Sequence, residues 1–298
     1  MSDDLALVAP TGVRERGQAS LVLRRFAQHK LAMGSLVVFL LIVAFAFVGP
    51  LVWKYDYHLY REIPSMEPPS LAHPFGTDRA GHDVLGQVMR GAQQSLKVAF
   101  TVAILATGIG SIWGAVAGFY RGWIDAIMMR LVDVLFVIPF LAVAAAIAGG
   151  VSGGVGWFQI ALILGLLGWI GTARLVRGQV LSVREQEFIE AARAVGSSDV
   201  RIILRHLVPN TTGVILVAAT LEMATAILAE AGLSFVGLGI QSPDTSLGLL
   251  INSATGAAFT HPWLFYFPGL FIIGICLTVN FIGDGLRDAL DPRQTVRL

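Results

Sequence analysis

Glu190–Asn210 reads EAARAVGSSDVRIILRHLVPN, five charges, a glycine and a proline inside a chain that is otherwise strongly apolar. The pattern begins slightly upstream, in REQEFIEAARAVG. There Phe188, Ile189, Ala192 and Val195 share one side at helical spacing, and Glu185, Glu187, Glu190 and Arg193 fall largely elsewhere. Gly196 suits the left-handed residue that ends a helix, because it has no Cβ to clash. Ser197 or Ser198 can cap the next helix. In that helix Val200, Ile203, Leu204 and Leu207 repeat at i, i+3, i+4, i+7 until Pro209 stops it. The expectation is two short amphipathic helices meeting at a glycine corner. Their apolar faces must be covered, either by the protein's own helix ends and lipid headgroups or by a soluble partner.

The rest of the chain says where this hairpin sits. Of 298 residues 55% are hydrophobic and 14% charged, with a mean hydropathy of +0.71. Soluble domains carry roughly a quarter charged residues, so the bilayer is the expected solvent. A span needs about 20 mostly apolar residues. Six runs qualify, at about 31–53, 97–119, 127–148, 158–177, 213–236 and 264–285. The first thirty residues are polar and basic, with no apolar run before a small-residue cleavage site. The first span is therefore expected to stay in the chain. With the N-terminus inside, the inner segments hold sixteen of the 21 Lys and Arg, from Arg14 and Arg16 to Arg293 and Arg297. Only Lys54, Arg61, Arg79, Arg90 and Lys97 fall outside, so both termini and the hairpin are expected in the cytoplasm.

This gives a domain plan: a cytoplasmic tail at 1–30, a first span at 31–53, an external loop at 54–96, a five-helix core at 97–285 with the hairpin at about 181–212, and a cytoplasmic tail at 286–298. The external loop runs through Pro64, Pro68, Pro69 and Pro74, which favour extended chain. Val84, Leu85, Val88, Met89 and Ala92 then share a face, predicting a helix along the outer membrane surface before the second span.

The totals and the motif search restrict the chemistry. The net charge of +1 gives no pointer to nucleic acid, and none is expected as a partner. Cys276 lies in an apolar run and reads as an inert buried thiol. A phosphate-binding loop needs a lysine after its glycines. Of Lys30, Lys54 and Lys97, none follows a glycine. His58, His73, His82 and His261, with Asp78 and Asp83 nearby, have no tight ligand spacing and read as solvated loop residues, not a metal site. Charges within spans cost about 2.5–3.5 kcal/mol at mid-membrane. Asp133 has Arg130 one turn before it and reads as half of an ion pair near the inner end. Glu222 and Glu230 share the fifth span. Glu230 precedes GLSFVGLG, where it would face a pore or satisfy unwound backbone.

The hairpin resembles the EAA loop of bacterial ABC-type import permeases, whose pattern is Glu-Ala-Ala, three residues, Gly, nine residues, Ile, one residue, Leu-Pro. Glu190, Ala191, Ala192, Gly196 and Pro209 fall in register, with His206 at the Ile and Val208 at the Leu. FGTDRAGHDVL, MMRLVDVLFVIP, AILAEAGLSFVGLGIQSPDTSLG and GDGLRDALDPR resemble, in order, further segments of the oligopeptide/dipeptide branch. In them His82 stands at a common Arg, and Ser242 and Leu247 where Pro and Trp are usual. The resemblance implies an all-α membrane protein with six transmembrane helices and a type I ABC importer permease fold. It implies a peptide-import permease subunit, not an enzyme. Its partners would be a second homologous permease, two cytoplasmic ATPases that use the ATP and Mg, and an extracytoplasmic substrate-binding protein. No cofactor would be bound by this chain. On this reading Glu190, Ala191, Ala192, Gly196, Ser197, Ile203, Leu207 and Pro209 form the ATPase-coupling element, and Glu230, Ser234 and Phe235 are candidates to line the pore. The alternatives are import of nickel or another small solute, and an ion-coupled secondary transporter. The latter leaves the hairpin without a task and should show inverted repeats, which are not evident. An intramembrane enzyme would need a nucleophile–base pair or metal ligands in the spans, and none of those runs contains a histidine.

Overall fold

A computed structural model describes residues 18–58, 64–151 and 155–290. Arg14, Arg16, Arg61, Arg293 and Arg297, counted in the charge asymmetry, lie outside them. The chain forms α1 (Gln18–Gln28), α2 (Lys30–Phe47), α3 (Gly49–Val52), α4 (Val84–Tyr120), α5 (Gly122–Val137), α6 (Phe140–Gly149), α7 (Trp157–Val183), α8 (Glu187–Ala194), α9 (Asp199–Ile202), α10 (Val208–Asn210), α11 (Thr212–Phe235), α12 (Leu247–Ala254) and α13 (Trp263–Leu290). Among the described residues there is no β-structure beyond two isolated bridges, Thr77 with Asp83 and Val155 with Ile240. Five helices, α2, α4, α7, α11 and α13, are each long and apolar enough to cross a membrane.

The third apolar run differs from the expectation of one continuous helix over 127–148. It forms the pair α5 and α6, bent by 75° at the break. Pro139 explains the break. It has no N–H to give, its ring crowds the carbonyl four residues back, and it forces the preceding residue out of helical geometry. Ile138 is accordingly extended, at φ −75° and ψ 128°.

The predicted surface helix is also corrected. Val84, Leu85, Val88, Met89 and Ala92 belong to the start of α4, which runs unbroken for 37 residues. At 1.5 Å per residue it is about 55 Å long, well beyond a hydrocarbon core of about 30 Å. All five side chains are buried, and α2, α11, α12 and α13 pack against this stretch of helix. The periodicity marked a covered face, but the cover is protein.

Asp83 fixes where α4 begins. Its buried carboxylate accepts from the Gly86 N–H at 2.8 Å, the Trp53 indole at 2.9 Å and His73 Nδ1 at 2.7 Å. His73 is therefore a satisfied buried histidine, not a solvated one. His82 is bonded to Asp78 at 2.9 Å and only 15% exposed at its side chain. Phe75 stacks on Phe267 of α13 with ring centroids 3.9 Å apart, seating the preceding loop on the bundle.

α4 is the central helix, and its most extensive partner is α7. Gly110, Gly114 and Gly118 recur every four residues along the contact. A Cβ at Gly110 would come 2.7 Å from Thr172 and the Trp169 carbonyl. At Gly114 it would meet the Ala173 carbonyl and the Arg177 amide, and at Gly118 it would lie 2.9 Å from Val180. Small residues let membrane helices approach backbone to backbone, where dispersion and close packing replace the missing hydrophobic drive. Gly114→Val should therefore cost about 1–3 kcal/mol by overpacking. Gly108→Val, with nothing within 4 Å, should stay within about 0.5 kcal/mol. Unfolding midpoints in detergent that fall together, or not at all, would contradict this contact.

Candidate functional site

The hairpin forms as α8, a corner at Gly196, and α9. Gly196 adopts φ +78°. The Ser197 N–H bonds back to the Ala192 carbonyl at 3.1 Å, and the Gly196 N–H to Arg193 at 2.9 Å. This pair of bonds satisfies the last carbonyls of α8 and turns the chain through a left-handed residue. Ser198 occupies the N-cap of α9 in extended geometry, but neither its hydroxyl nor that of Ser197 caps the helix by a hydrogen bond.

Pro209 does not end the second helix. Residues 203–207 widen into a π turn, in which the Val208 N–H reaches the Ile203 carbonyl. The wider turn relieves the clash that a proline ring makes with the carbonyl four residues earlier. The chain then continues through α10 into α11 with only a break at Thr211. The hairpin is thus joined directly to a spanning helix.

Burial divides the hairpin in two. Ile189, Ala192, Ile202, Ile203 and Leu207 are buried against Ala115 and Phe119 of α4 and Val176, Val180 and Val183 of α7. Phe188, Val195, Val200 and Leu204 point away from this cluster, with Val195 81% and Leu204 57% exposed. Of the eight residues expected to couple, Glu190, Ala191, Gly196 and Pro209 are exposed and Ser197 is half-buried. Ala192, Ile203 and Leu207 are corrected: they anchor the hairpin to its own helices. The apolar spacing Val200, Ile203, Leu204, Leu207 therefore straddles both faces. Ile202, which the spacing passed over, is fully buried.

Polar contacts lock the anchor. Arg177 makes a two-pronged bond to Asp125, at 2.5 and 2.6 Å, joining α7 to α5. Arg121 pairs with Glu185 at 2.7 Å. Arg184 donates to the Gly118 and Phe119 carbonyls at the end of α4, where helix carbonyls lack partners. Burial, aided by the neighbouring Arg121 charge and opposed by Glu185, draws the Arg184 guanidinium below its usual pKa. The Arg193 guanidinium lies 5.3 Å from the Phe119 ring centre, within cation–π range.

Two of the three pore candidates, Glu230 and Ser234, are corrected as well. Glu230 is 0% exposed and Ser234 fully buried, and only Phe235 of the three is exposed. Glu230 accepts from Ser95 of α4 at 2.8 Å and Ser234 at 2.7 Å, and Ser234 lies 3.1 Å from Ser246. It ties α4, α11 and the α12 cap together instead of facing a pore. The carbonyls of Ser234 and Phe235 are met by the Asn252 amide, at 3.2 and 2.6 Å. Asp133 is also paired differently. Its partner is Arg174 of α7, at 2.7 Å, not Arg130. Among the described residues no three His, Cys, Asp or Glu side chains gather as a metal site.

Ile202→Ala and Leu207→Ala should each loosen the hairpin by about 2–5 kcal/mol. Val200→Ala and Leu204→Ala should do so by less than about 0.5 kcal/mol. Amide exchange across 187–207 in the isolated chain measures both. Equal loosening by the two pairs would abolish the distinction between anchor and free face.

Comparison with known proteins bears on what the free face meets. A family model described as binding-protein-dependent transport system inner membrane component matches residues 106–296, and one described as the N-terminal TM domain of oligopeptide transport permease C matches 17–71. The chain is 41% identical to the oligopeptide transport system permease protein OppC of Mycobacterium tuberculosis, over 92% of this chain and 94% of that one. It is 40% identical to the dipeptide transport system permease protein DppC of Bacillus subtilis, over 91% and 84%. Its fold is similar to a chain of the MetNI methionine ABC transporter in an inward-facing conformation, with a TM-score of 0.56 at 20% identity, over 69% of this chain and 97% of that one.

Proposed function

Because the chain belongs to the family of binding-protein-dependent transport system inner membrane components, we propose that its cargo is a short peptide and that a cytoplasmic ATPase drives it through the free face of the hairpin. It is a multi-pass permease subunit of an ABC importer of the bacterial inner membrane, works with ATPase and binding-protein partners, and is not itself an enzyme. That membership sets aside the secondary-transporter reading. The peptide assignment rests on relatives named for oligopeptide and dipeptide transport across nine-tenths of the chain.

In this reading both termini and the hairpin face the cytoplasm. A sister permease completes the pathway, two ATPases use the ATP and Mg, and a binding protein delivers the peptide from the other side. The observation that carries the coupling is the apolar strip of Phe188, Val195, Val200 and Leu204, standing free on an anchored hairpin. Moving a two-state pathway from about 1:99 to 99:1 takes roughly 5.5 kcal/mol of differential binding. One surface ion pair, at about 1 kcal/mol or less, does not reach that. Seating apolar side chains, at about 1.5–3 kcal/mol each when fully buried, does. The anchor transmits the movement: α8 and α9 grip the ends of α4 and α7, and the π turn leads through α10 into α11.

Val200→Asp and Leu204→Asp should leave the chain inserted and folded but lower ATP-driven peptide uptake by at least about tenfold, since each puts a charge where the ATPase must close on apolar surface. Uptake by the reconstituted importer measures this. Wild-type uptake in both variants would overturn the coupling assignment.

A further inference from the structure

We propose that the face of α7 left open between α5 and α11 is this chain's wall of the cargo pathway, and that Glu222 on its edge is the contact for the cargo's ammonium group. This rests on the importer reading above.

Three of the spans carry charge within the membrane. Glu222 lies ten residues into α11, about 15 Å along its axis and so near the middle of a hydrocarbon layer of about 30 Å. Asp133 and Arg174 sit on the facing spans, with side chains 56% and 38% exposed. Lipid contact with such groups is unfavourable, and intramembrane charges characteristically face a bundle interior or a water-filled cavity. The outward side chains of α13, Tyr266, Leu270, Ile273 and Leu277, are exposed too but uncharged. The two faces therefore call for different surroundings: acyl chains against α13, water or cargo against the charged face.

The space between those charges is open. α4 covers the opposite side of α7, through Trp169, Ala173, Val176 and Val180. Gly171, Leu175 and Gly178 follow one another at helical spacing on the uncovered side. A Cβ added at either glycine meets nothing within 4 Å. The two acidic groups on this face are met differently. Arg174 answers Asp133, whereas Glu222 Oε1 accepts only a 3.3 Å bond from the Thr172 hydroxyl. Among the described residues Glu222 has no ion-pair partner, and every peptide with a free amino terminus brings a cation that can serve as one.

The test uses the complete importer. Cys276 is buried, so a single cysteine can be introduced at an exposed site and read with a charged, membrane-impermeant thiosulfonate. Leu175→Cys should react at least about tenfold faster than Leu270→Cys, since thiols react as solvated thiolates. Equal rates would overturn the wall. Glu222→Gln should lower peptide uptake at saturating binding protein by about tenfold, the loss of one charge-assisted contact, with basal ATP hydrolysis by the complex unchanged and uptake restored in Glu222→Asp. Wild-type uptake in Glu222→Gln, equal loss in both variants, or loss of basal ATP hydrolysis would overturn the ammonium contact. A wild-type importer that carries no peptide would instead defeat the cargo assignment, and the thiol rates would still decide the wall.

Discussion

At Gly110, Gly114 and Gly118 there is room for a hydrogen atom and nothing more, and α4 and α7 touch closely along about two turns because of it. The other placements follow from that contact. It aligns the ends of the two helices, so that Ala115, Phe119, Val176, Val180 and Val183 form one apolar platform. The platform takes the inner side of the hairpin, and Arg184 closes the end of α4 from the α7 side. Loosening the glycine contact would therefore move the hairpin as well as the pair.

The hairpin resolves the opposition posed by its sequence. A charged, amphipathic element in an apolar chain could cover its own helix ends or receive a partner, and it does the first with one face while leaving the other free. Ile189, Ile202 and Leu207 hold it down, and Phe188, Val195, Val200 and Leu204 stand clear. A lever needs both properties. Without the anchor a push would be lost as local motion, and without a free face there would be nothing to push.

Much of this was legible in the sequence where a local rule governs. Apolar runs of span length marked the long helices, and Gly196 marked the corner because only a left-handed residue ends α8 in this way. What failed was set by distant residues. Periodicity over Val84–Ala92 marked a covered face but not whether lipid or protein covers it. The same limit hid the division of Val200, Ile203, Leu204 and Leu207 between two faces. Local sequence leaves Glu230 a pore or unwound backbone to serve, because one of the serines that satisfies it, Ser95, lies 135 residues away. Helical spacing offers Asp133 its neighbour Arg130, but it takes Arg174, 41 residues on. Two missed signals were local and could have been read: the glycines at four-residue spacing in α4, and Pro139 inside the third apolar run.

The central claim, that one face of the hairpin anchors and the other receives the ATPase, is tested most directly by hydroxyl-radical footprinting of the native chain, alone and within the assembled importer. The account predicts that Phe188 and Leu204 oxidise readily in the isolated chain and several-fold less in the assembly, as about the burial of an interface core requires, while Ile202 and Leu207 stay unreactive in both. Equal oxidation of Phe188 and Leu204 in the two states would contradict it.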